Sequence, residues 1–421
     1  MPRLTRRRLL LNMASSAAPA IAASAAGAGV PLTEVAASLA VEADARAFGD
    51  FIATRLWPMA SRNRISRKTF DAALANARPD PSVIMLLERQ PEVDLAIWEY
   101  VALIVSAERV ENGLAKLRSE EALLADLEAR YGVDRHVLVA IWGMESAYGT
   151  RMGTRSVFTS LAMLAWQGGR KAEFGRIQLL AALQIADRGE INPARMLGSW
   201  AGAFGHTQFI PTTYLAHAVD HDGDGRRDLV GSHSDALAST ANYLRVSGWR
   251  ADAPWGFEVR LPAEPSNAVL DGRERGLSDW ASYGLARTDA KPIEGSLPAA
   301  LLLPSGVRGP AFLVTQNYRA VLKYNNAMAY ALAIGLLSDQ LKGEPPIATA
   351  WPLAERPLRL SERRELQRHL RRRGYDIGEI DGVLGERTLA AVRHWQRARR
   401  LAPDGYASIA LLEELSQATP R

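Results

Sequence analysis

The sequence contains no cysteine. Disulfides, thiolate metal sites, cysteine nucleophiles and cysteine-linked lipid anchors are therefore excluded. Histidine is scarce, at 7 residues, and no histidine cluster points to a catalytic transition metal. Long apolar runs are scarce too. Beyond the N-terminal stretch, Ala327–Leu337 stands out, but it is too short to span a bilayer and reads as a buried helix. The body also lacks an excess of basic residues. The net charge is +5, yet Arg3, Arg6, Arg7 and Arg8 supply +4 at one end and residues 358–421 supply +4 at the other. The residues between them are left at −3, so nucleic acid is not the expected partner. The 421 residues, 48% hydrophobic and 23% charged, fit two or three globular domains.

The first 28 residues have the parts of an export signal: a basic start, an apolar middle and small residues at the end. Arg6-Arg7 before Leu9-Leu10-Leu11 resembles a twin-arginine signal. Small-x-small sites occur at Ala20–Ala22, Ala23–Ala25 and Ala26–Ala28. An uncleaved membrane anchor is the competing reading, and the alanine-rich, weakly hydrophobic end argues against it. The expectation is a periplasmic protein, exported through the twin-arginine route, with no stable membrane anchor after processing.

Helical periodicity runs from Leu32 to about Arg130, with one amphipathic run from Pro91 to about Leu117. More helix follows from Asp134 to Trp249, interrupted by a Gly- and Asp-rich loop at 220–231. Residues 250–312 are rich in Pro and Gly, and Phe257–Leu261 alternates like a strand. Helix returns from about Tyr318 to Gln340. Residues 343–357 read as a linker, and 358–421 as a separate small unit.

Within the Asp134–Gly149 segment, Asp134 caps a helix start and Gly149 marks its end. Leu138, Ile141 and Glu145 share one face of that helix, which is otherwise apolar. A carboxylate placed there is partly desolvated, so its pKa is expected to rise. A neutral carboxyl at working pH is the proton donor that a glycosidic oxygen needs. A helix glutamate snorkelling to water, or paired with an arginine, is the plainer alternative.

Glu145-Ser146-x-Tyr148-Gly149 resembles the catalytic signature of lytic transglycosylases with a lysozyme-like core. The Gly198–Tyr214 segment (Gly-Ser-Trp-Ala-Gly-Ala-Phe-Gly-His-Thr-Gln-Phe-Ile-Pro-Thr-Thr-Tyr) resembles the membrane-bound lytic murein transglycosylase B family. So do Arg89-Gln90-Pro91-Glu92 and Tyr324-Asn325-x-x-x-x-Tyr330, and the likeness covers roughly residues 35–340 in order. The resemblance implies a catalytic domain over 32–342, with Glu145 as acid and then base. It implies substrate contacts from Ser146, Ser199, Gln208, Tyr243, Tyr324, Asn325 and Tyr330. The reaction it implies is non-hydrolytic cleavage of the β-1,4 bond between N-acetylmuramic acid and N-acetylglucosamine, leaving a 1,6-anhydro end. Gln208 and Asn325 suit N-acetyl or hydroxyl groups, and tyrosines suit sugar rings. Water and the C6 hydroxyl cannot be told apart as nucleophiles from the residues themselves. A hydrolytic muramidase and a silent wall-binding scaffold are the rival readings. The type member is anchored through a lipid-modified cysteine, which this chain lacks.

Asp220, Asp222, Asp224, Arg226 (through its carbonyl) and Asp228 occupy positions 1, 3, 5, 7 and 9 of an EF-hand-like loop, with Gly225 at position 6. Position 12 is Gly231, and Asp235 lies four residues beyond it. The resemblance implies an expanded loop over 220–235 holding a structural calcium. A solvated acidic turn, or a loop whose aspartates are matched by Arg226 and Arg227, is the alternative. No cofactor is expected for the chemistry.

Leu366-Gln367, Gly374-Tyr375-Asp376, Asp381-Gly382, Trp395-Gln396 and Pro403-Asp404-Gly405 together resemble the three-helix peptidoglycan-binding domain. Its arginines, Arg371 to Arg373 among them, offer contacts to an anionic wall polymer or simply a solvated face. The overall expectation is a mainly α protein: a lysozyme-like helical core with an N-terminal helical region, a small β or loop insertion and a three-helix C-terminal domain. Its expected partner is the peptidoglycan glycan strand. The residues identify no cell-wall synthesis protein as a partner.

Overall fold

A computed structural model describes residues 44–88, 95–354 and 356–418. The export signal expected at 1–28, the helix start at Leu32 and the Arg89–Glu92 segment lie outside the described residues. The body is built around one helix, Arg135–Ser146. Asp134 starts it by accepting the His136 N–H at 2.8 Å. Every residue from Val137 to Gly143 is buried, so the helix is enclosed on all sides. Around it pack Ala107–Ser119, Glu121–Tyr131, His233–Val246 and Met328–Leu341. Full burial of Leu138 and Ile141 contributes ~1.5–3 kcal/mol each. The result is the lysozyme-like helical core that was expected.

Two expected helical runs are divided. The Pro91–Leu117 run contains separate helices, Ile97–Ile104 and Ala107–Ser119, because Ser106 caps the second by accepting the Arg109 N–H at 3.3 Å. The Tyr318–Gln340 run is two helices, Gln316–Tyr324 and Met328–Leu341, separated where Asn325 turns extended. Ala327–Leu337 falls largely within the second of these, which is buried. Among the described residues no helix is long and apolar enough to cross a membrane.

A short ladder, β1 (Arg155–Ser156) against β2 (Leu197–Gly198), lies beside the core. The insertion is a five-stranded antiparallel sheet in which the third of its strands to appear in the chain lies at one edge. Its strands are β3 (Gly256–Arg260), β4 (Glu274–Gly276), β5 (Ala286–Arg287), β6 (Pro298–Leu302) and β7 (Ala311–Val314). β7 shows why the sheet sits where it does. Phe312 and Val314 join the main helical core, while Ala311 and Leu313 join a second core with Phe257, Val259 and Trp280. Alternate residues of one strand thus serve two cores.

The C-terminal unit has three helices, Leu360–Arg372, Glu386–Ala398 and Ile409–Gln417, around Leu366, Val392 and Leu415. Two like staples fix its turns. Gln367 donates to Asp381 at 3.2 Å and accepts the Gly382 N–H at 2.7 Å. Gln396 donates to Asp404 at 2.6 Å and accepts the Gly405 N–H at 2.8 Å. Asp404 also accepts the Val307 N–H at 3.2 Å, so the unit docks on the sheet insertion. Arg371 and Arg373 turn inward to carbonyl oxygens of their own domain: Gly378 for the first, Leu415 and Ala418 for the second.

The segment read as a linker is not free along its first half. Ile347 and Trp351 pack on the main core, and Glu258 accepts the N–H groups of Ala348 at 2.7 Å and Thr349 at 2.8 Å. It forms a strap across the body before the chain enters the C-terminal unit.

Candidate active site

The central helix ends at Ser146, three residues before the expected stop at Gly149. Ala147 (φ 47°) and Tyr148 (φ 59°) both take left-handed conformations, which cost residues with a Cβ roughly 1 kcal/mol or more each. Packing holds them there. The Tyr148 ring folds back onto Gly143, where any added Cβ would collide with it. Its hydroxyl donates to the Arg109 carbonyl at 2.6 Å. The tight reversal leaves Glu145 half-buried on the last turn.

A second segment, 205–208, closes on that turn. Ser146 Oγ donates to the His206 carbonyl at 2.6 Å and accepts the Gly149 N–H at 2.9 Å. Trp142 Nε1 donates to His206 Nδ1 at 3.2 Å, which assigns the ring proton to Nε2. Burial, with His233 and Lys116 nearby, pushes His206 down to about 4, so it is neutral at pH 7.

The third wall comes from the C-terminal helices of the body. Tyr330 donates its phenol to Glu145 Oε1 at 2.6 Å. It is only 2% exposed, and burial together with the Glu145 charge raises its pKa well above that of a free phenol. It therefore remains a donor at any working pH. Its ring stacks on Tyr324 at 6.4 Å and 6°, and the Tyr324 hydroxyl donates to the Thr207 carbonyl. Tyr243 meets Tyr324 edge-on at 5.3 Å and donates to the Lys323 carbonyl at 2.6 Å. Bonds and ring contacts thus run without a gap from Glu145 through Tyr330 and Tyr324 to the 205–208 segment.

The residues expected to touch substrate are therefore brought together but differ in what they can offer. Ser146 is buried, and its hydroxyl is committed to the His206 carbonyl; it holds the helix end rather than facing a ligand. Ser199 is half-buried and accepts the N–H groups of Ala201 at 3.3 Å and Ala203 at 3.0 Å. The hydroxyls of Tyr243, Tyr324 and Tyr330 all donate to protein oxygens. Gln208 Nε2 donates to the carbonyls of Met152 at 2.9 Å and Gly205 at 2.7 Å, which fixes its amide orientation. Gln208 Oε1 and Asn325 Oδ1 are left buried without a donor. An unsatisfied buried acceptor costs ~1–3 kcal/mol, so both positions suit an incoming N–H or O–H.

Sequence reasoning assigned no role to His206 or Trp142. His206 lies inside the Gly198–Tyr214 segment, two residues from Gln208. Its partners, however, are Trp142 and Ser146, about sixty positions earlier, and no local pattern reveals such pairings.

The aspartate loop closes around three carboxylates, Asp220, Asp222 and Asp235, with ligand atoms within 4.8 Å of one another. Asp235 is fully buried and accepts the N–H groups of His221 and Asp228. Burial raises its pKa, the backbone donors oppose that, and Asp222 adds to it. Such an all-oxygen donor set suits a hard cation. Asp224 and Asp228 stand outside the cluster. Asp224 accepts the Arg226 N–H at 2.8 Å, whereas Asp228 pairs with Arg195 at 3.1 Å and accepts the N–H groups of Val230 and Gly231. Arg227 does not match the loop's aspartates: it pairs with Glu190.

Residues 47–339 match the family described as the transglycosylase SLT domain, and residues 359–415 match a putative peptidoglycan binding domain. Membrane-bound lytic murein transglycosylase B of Escherichia coli K12 is 29% identical over 297 residues, 67% of this chain and 80% of that protein. The fold is similar to SltB3 from Pseudomonas aeruginosa, solved in complex with NAG-anhNAM-pentapeptide. That pair shares 47% identity with a TM-score of 0.83, covering 88% of this chain and 99% of the other. Slt35 of Escherichia coli, solved in complex with calcium, is 26% identical with a TM-score of 0.57, covering 71% of this chain and 92% of that one.

Proposed function

The chain belongs to the transglycosylase SLT family, with a C-terminal peptidoglycan-binding domain, and from that premise we propose how it acts on peptidoglycan. It is a lytic transglycosylase, an enzyme that breaks glycan strands without adding water. The bond cleaved is the β-1,4 link between N-acetylmuramic acid and N-acetylglucosamine. Glu145 gives its proton to the leaving glycosidic oxygen as the C1–O bond breaks. The muramyl C6 hydroxyl then closes on C1, and its proton passes to the Glu145 carboxylate. The product is a 1,6-anhydromuramyl end, and Glu145 is returned to its starting protonation. This sequence needs no cofactor and no second carboxylate nucleophile.

The observation that carries the assignment of Glu145 is the 2.6 Å bond from the buried Tyr330 phenol. It holds one carboxylate oxygen while the group stays half-exposed on an apolar helix end. Gln208 Oε1 and Asn325 Oδ1 serve as acceptors for acetamido or hydroxyl protons of the bound strand. Ser199 completes the site, with Tyr243 and Tyr324 packed behind Tyr330. The catalytic unit spans 32–342, the strap 343–357, and the wall-binding unit 358–421. Export by the twin-arginine route would place the enzyme in the periplasm.

Asp220, Asp222 and Asp235 hold a calcium ion that braces the 220–235 loop. Its role is to pull together carboxylates that otherwise repel one another. The decisive test is a digest of purified sacculi with wild type and Glu145→Gln, read by mass spectrometry. Muropeptides lighter by one water, absent with the variant, support the assignment. Hydrated reducing ends would make the enzyme a muramidase, and intact sacculi with both proteins would leave only wall binding.

A further inference from the structure

A cavity of about 450 Å³ lies between the Ile97–Ile104 helix, strand β3 and the strap, and Glu145 is not among its walls. Tyr330 and Asp339 share a helix, and their nine-residue separation places the two sites ~13 Å apart along it. Trp98, Trp255 and Trp351 line the cavity. The Trp98 and Trp351 rings meet at 6.4 Å and 44°. Trp255 lies directly on Gly335, where a Cβ would strike the indole. This close approach carries Trp255 Nε1 to Asp339, one turn along, where it donates to both carboxylate oxygens at 3.1 and 3.0 Å.

That shared N–H is the one hydrogen bond the Asp339 carboxylate receives among the described residues. A carboxylate offers about four acceptor positions. The nearby Lys342 ammonium is engaged with Asp134 at 2.5 Å. Burial pushes the Asp339 carboxyl up to about 7, against the pull of Trp255 and Lys342. The other charges in the wall are matched. Arg287 grips Asp289 with two bonds at 2.8 and 2.6 Å, Glu258 holds the strap, and Glu344 faces Lys291 at 3.6 Å. One underserved carboxylate thus stands among aromatic faces, in a space of the size that small-molecule sites have.

We propose that this cavity is a second ligand site, taking a primary ammonium carried on a short aliphatic stem. The ammonium pairs with Asp339, and the stem lies against Trp98 and Trp351, whose faces favour both apolar carbon and positive charge. The occupant is an organic amine of the diamino-acid side-chain kind. The site is independent of the Glu145 chemistry.

The test is calorimetric titration of the full chain with pentylammonium and with pentanol, its uncharged isostere. Saturable binding of the amine, at least about tenfold tighter than the alcohol, is the expected result. Asp339→Asn should lose that preference. Equal affinity for both probes, no binding of either, or an unchanged preference in a folded Asp339→Asn protein would overturn the proposal. The two-probe comparison uses wild type alone, so it stands even if the variant does not fold. Nα-acetyl-lysine amide and glucosamine then test the stem: tighter binding of the first supports a diamino-acid side chain, and tighter binding of the second would overturn it.

Discussion

Replacing Tyr330 by Phe removes the phenol oxygen that meets Glu145, the acid we propose. The ring is buried and stacked on Tyr324, so it should stay in place. What is lost is the 2.6 Å donation to Glu145 Oε1. A hydrogen bond to a charged group contributes ~1.5–3 kcal/mol. If that energy serves to orient the carboxylate in the transition state, kcat falls roughly 10- to 150-fold. In the proposed site glycan binding rests on other groups, so KM should move less than about twofold. The assay is initial-rate release of anhydromuropeptides from sacculi, followed by chromatography across substrate concentrations. Circular dichroism should match wild type. A kcat within about twofold of wild type in the folded variant would refute the positioning role. A large rise in KM with kcat intact would move Tyr330 back to substrate contact.

Glu145→Gln should abolish turnover while sparing sacculus binding in a pull-down; residual activity would place the acid elsewhere. His206 is held near 4 in the folded state against about 6.5 when unfolded, so the unfolded chain binds the extra proton. Its contribution is therefore complete above pH 6.5 and lost as pH falls towards 4, amounting to about 2 kcal/mol once partial exposure is allowed for. Urea melts of wild type and His206→Gln at pH 7 and pH 4.5 check this, and the variant should show the smaller loss on acidification. Calcium should raise the wild-type melting temperature by mass action and leave Asp222→Ala unmoved; equal responses would remove the ion from the loop. Deleting residues 358–421 should weaken sacculus retention while soluble glycan fragments are still cleaved. The cut belongs after Trp351, because that ring packs on the body.

How much of this was legible before the structure varied with the range of the signal. The helix bearing Glu145 was visible because Leu138, Ile141 and Glu145 repeat at helical spacing and Asp134 supplies a cap. Its end was misplaced because left-handed Ala147 and Tyr148 are imposed by packing on Gly143 and Arg109, not by local preference. One of five insertion strands was readable, since Phe257–Leu261 alternates. β7 is buried on both faces and only four residues long, so it shows no alternation. Resemblance alone names the tyrosines near Glu145, because their hydroxyl partners lie up to 185 positions away. Composition marked 343–357 as a spacer, because nothing in Pro345-Pro346 reveals that Glu258 holds the next residues down.

That strap changes how the two units share a polymer. A flexible tether raises local concentration in every direction and tolerates any spacing between sites. Here Glu258 anchors the connecting chain at one end of the gap, and the Val307–Asp404 bond moors the wall-binding unit at the other. A carrier so braced engages both units only where the strand geometry fits their fixed separation. The brace thus narrows the spacings over which the two units can hold one strand.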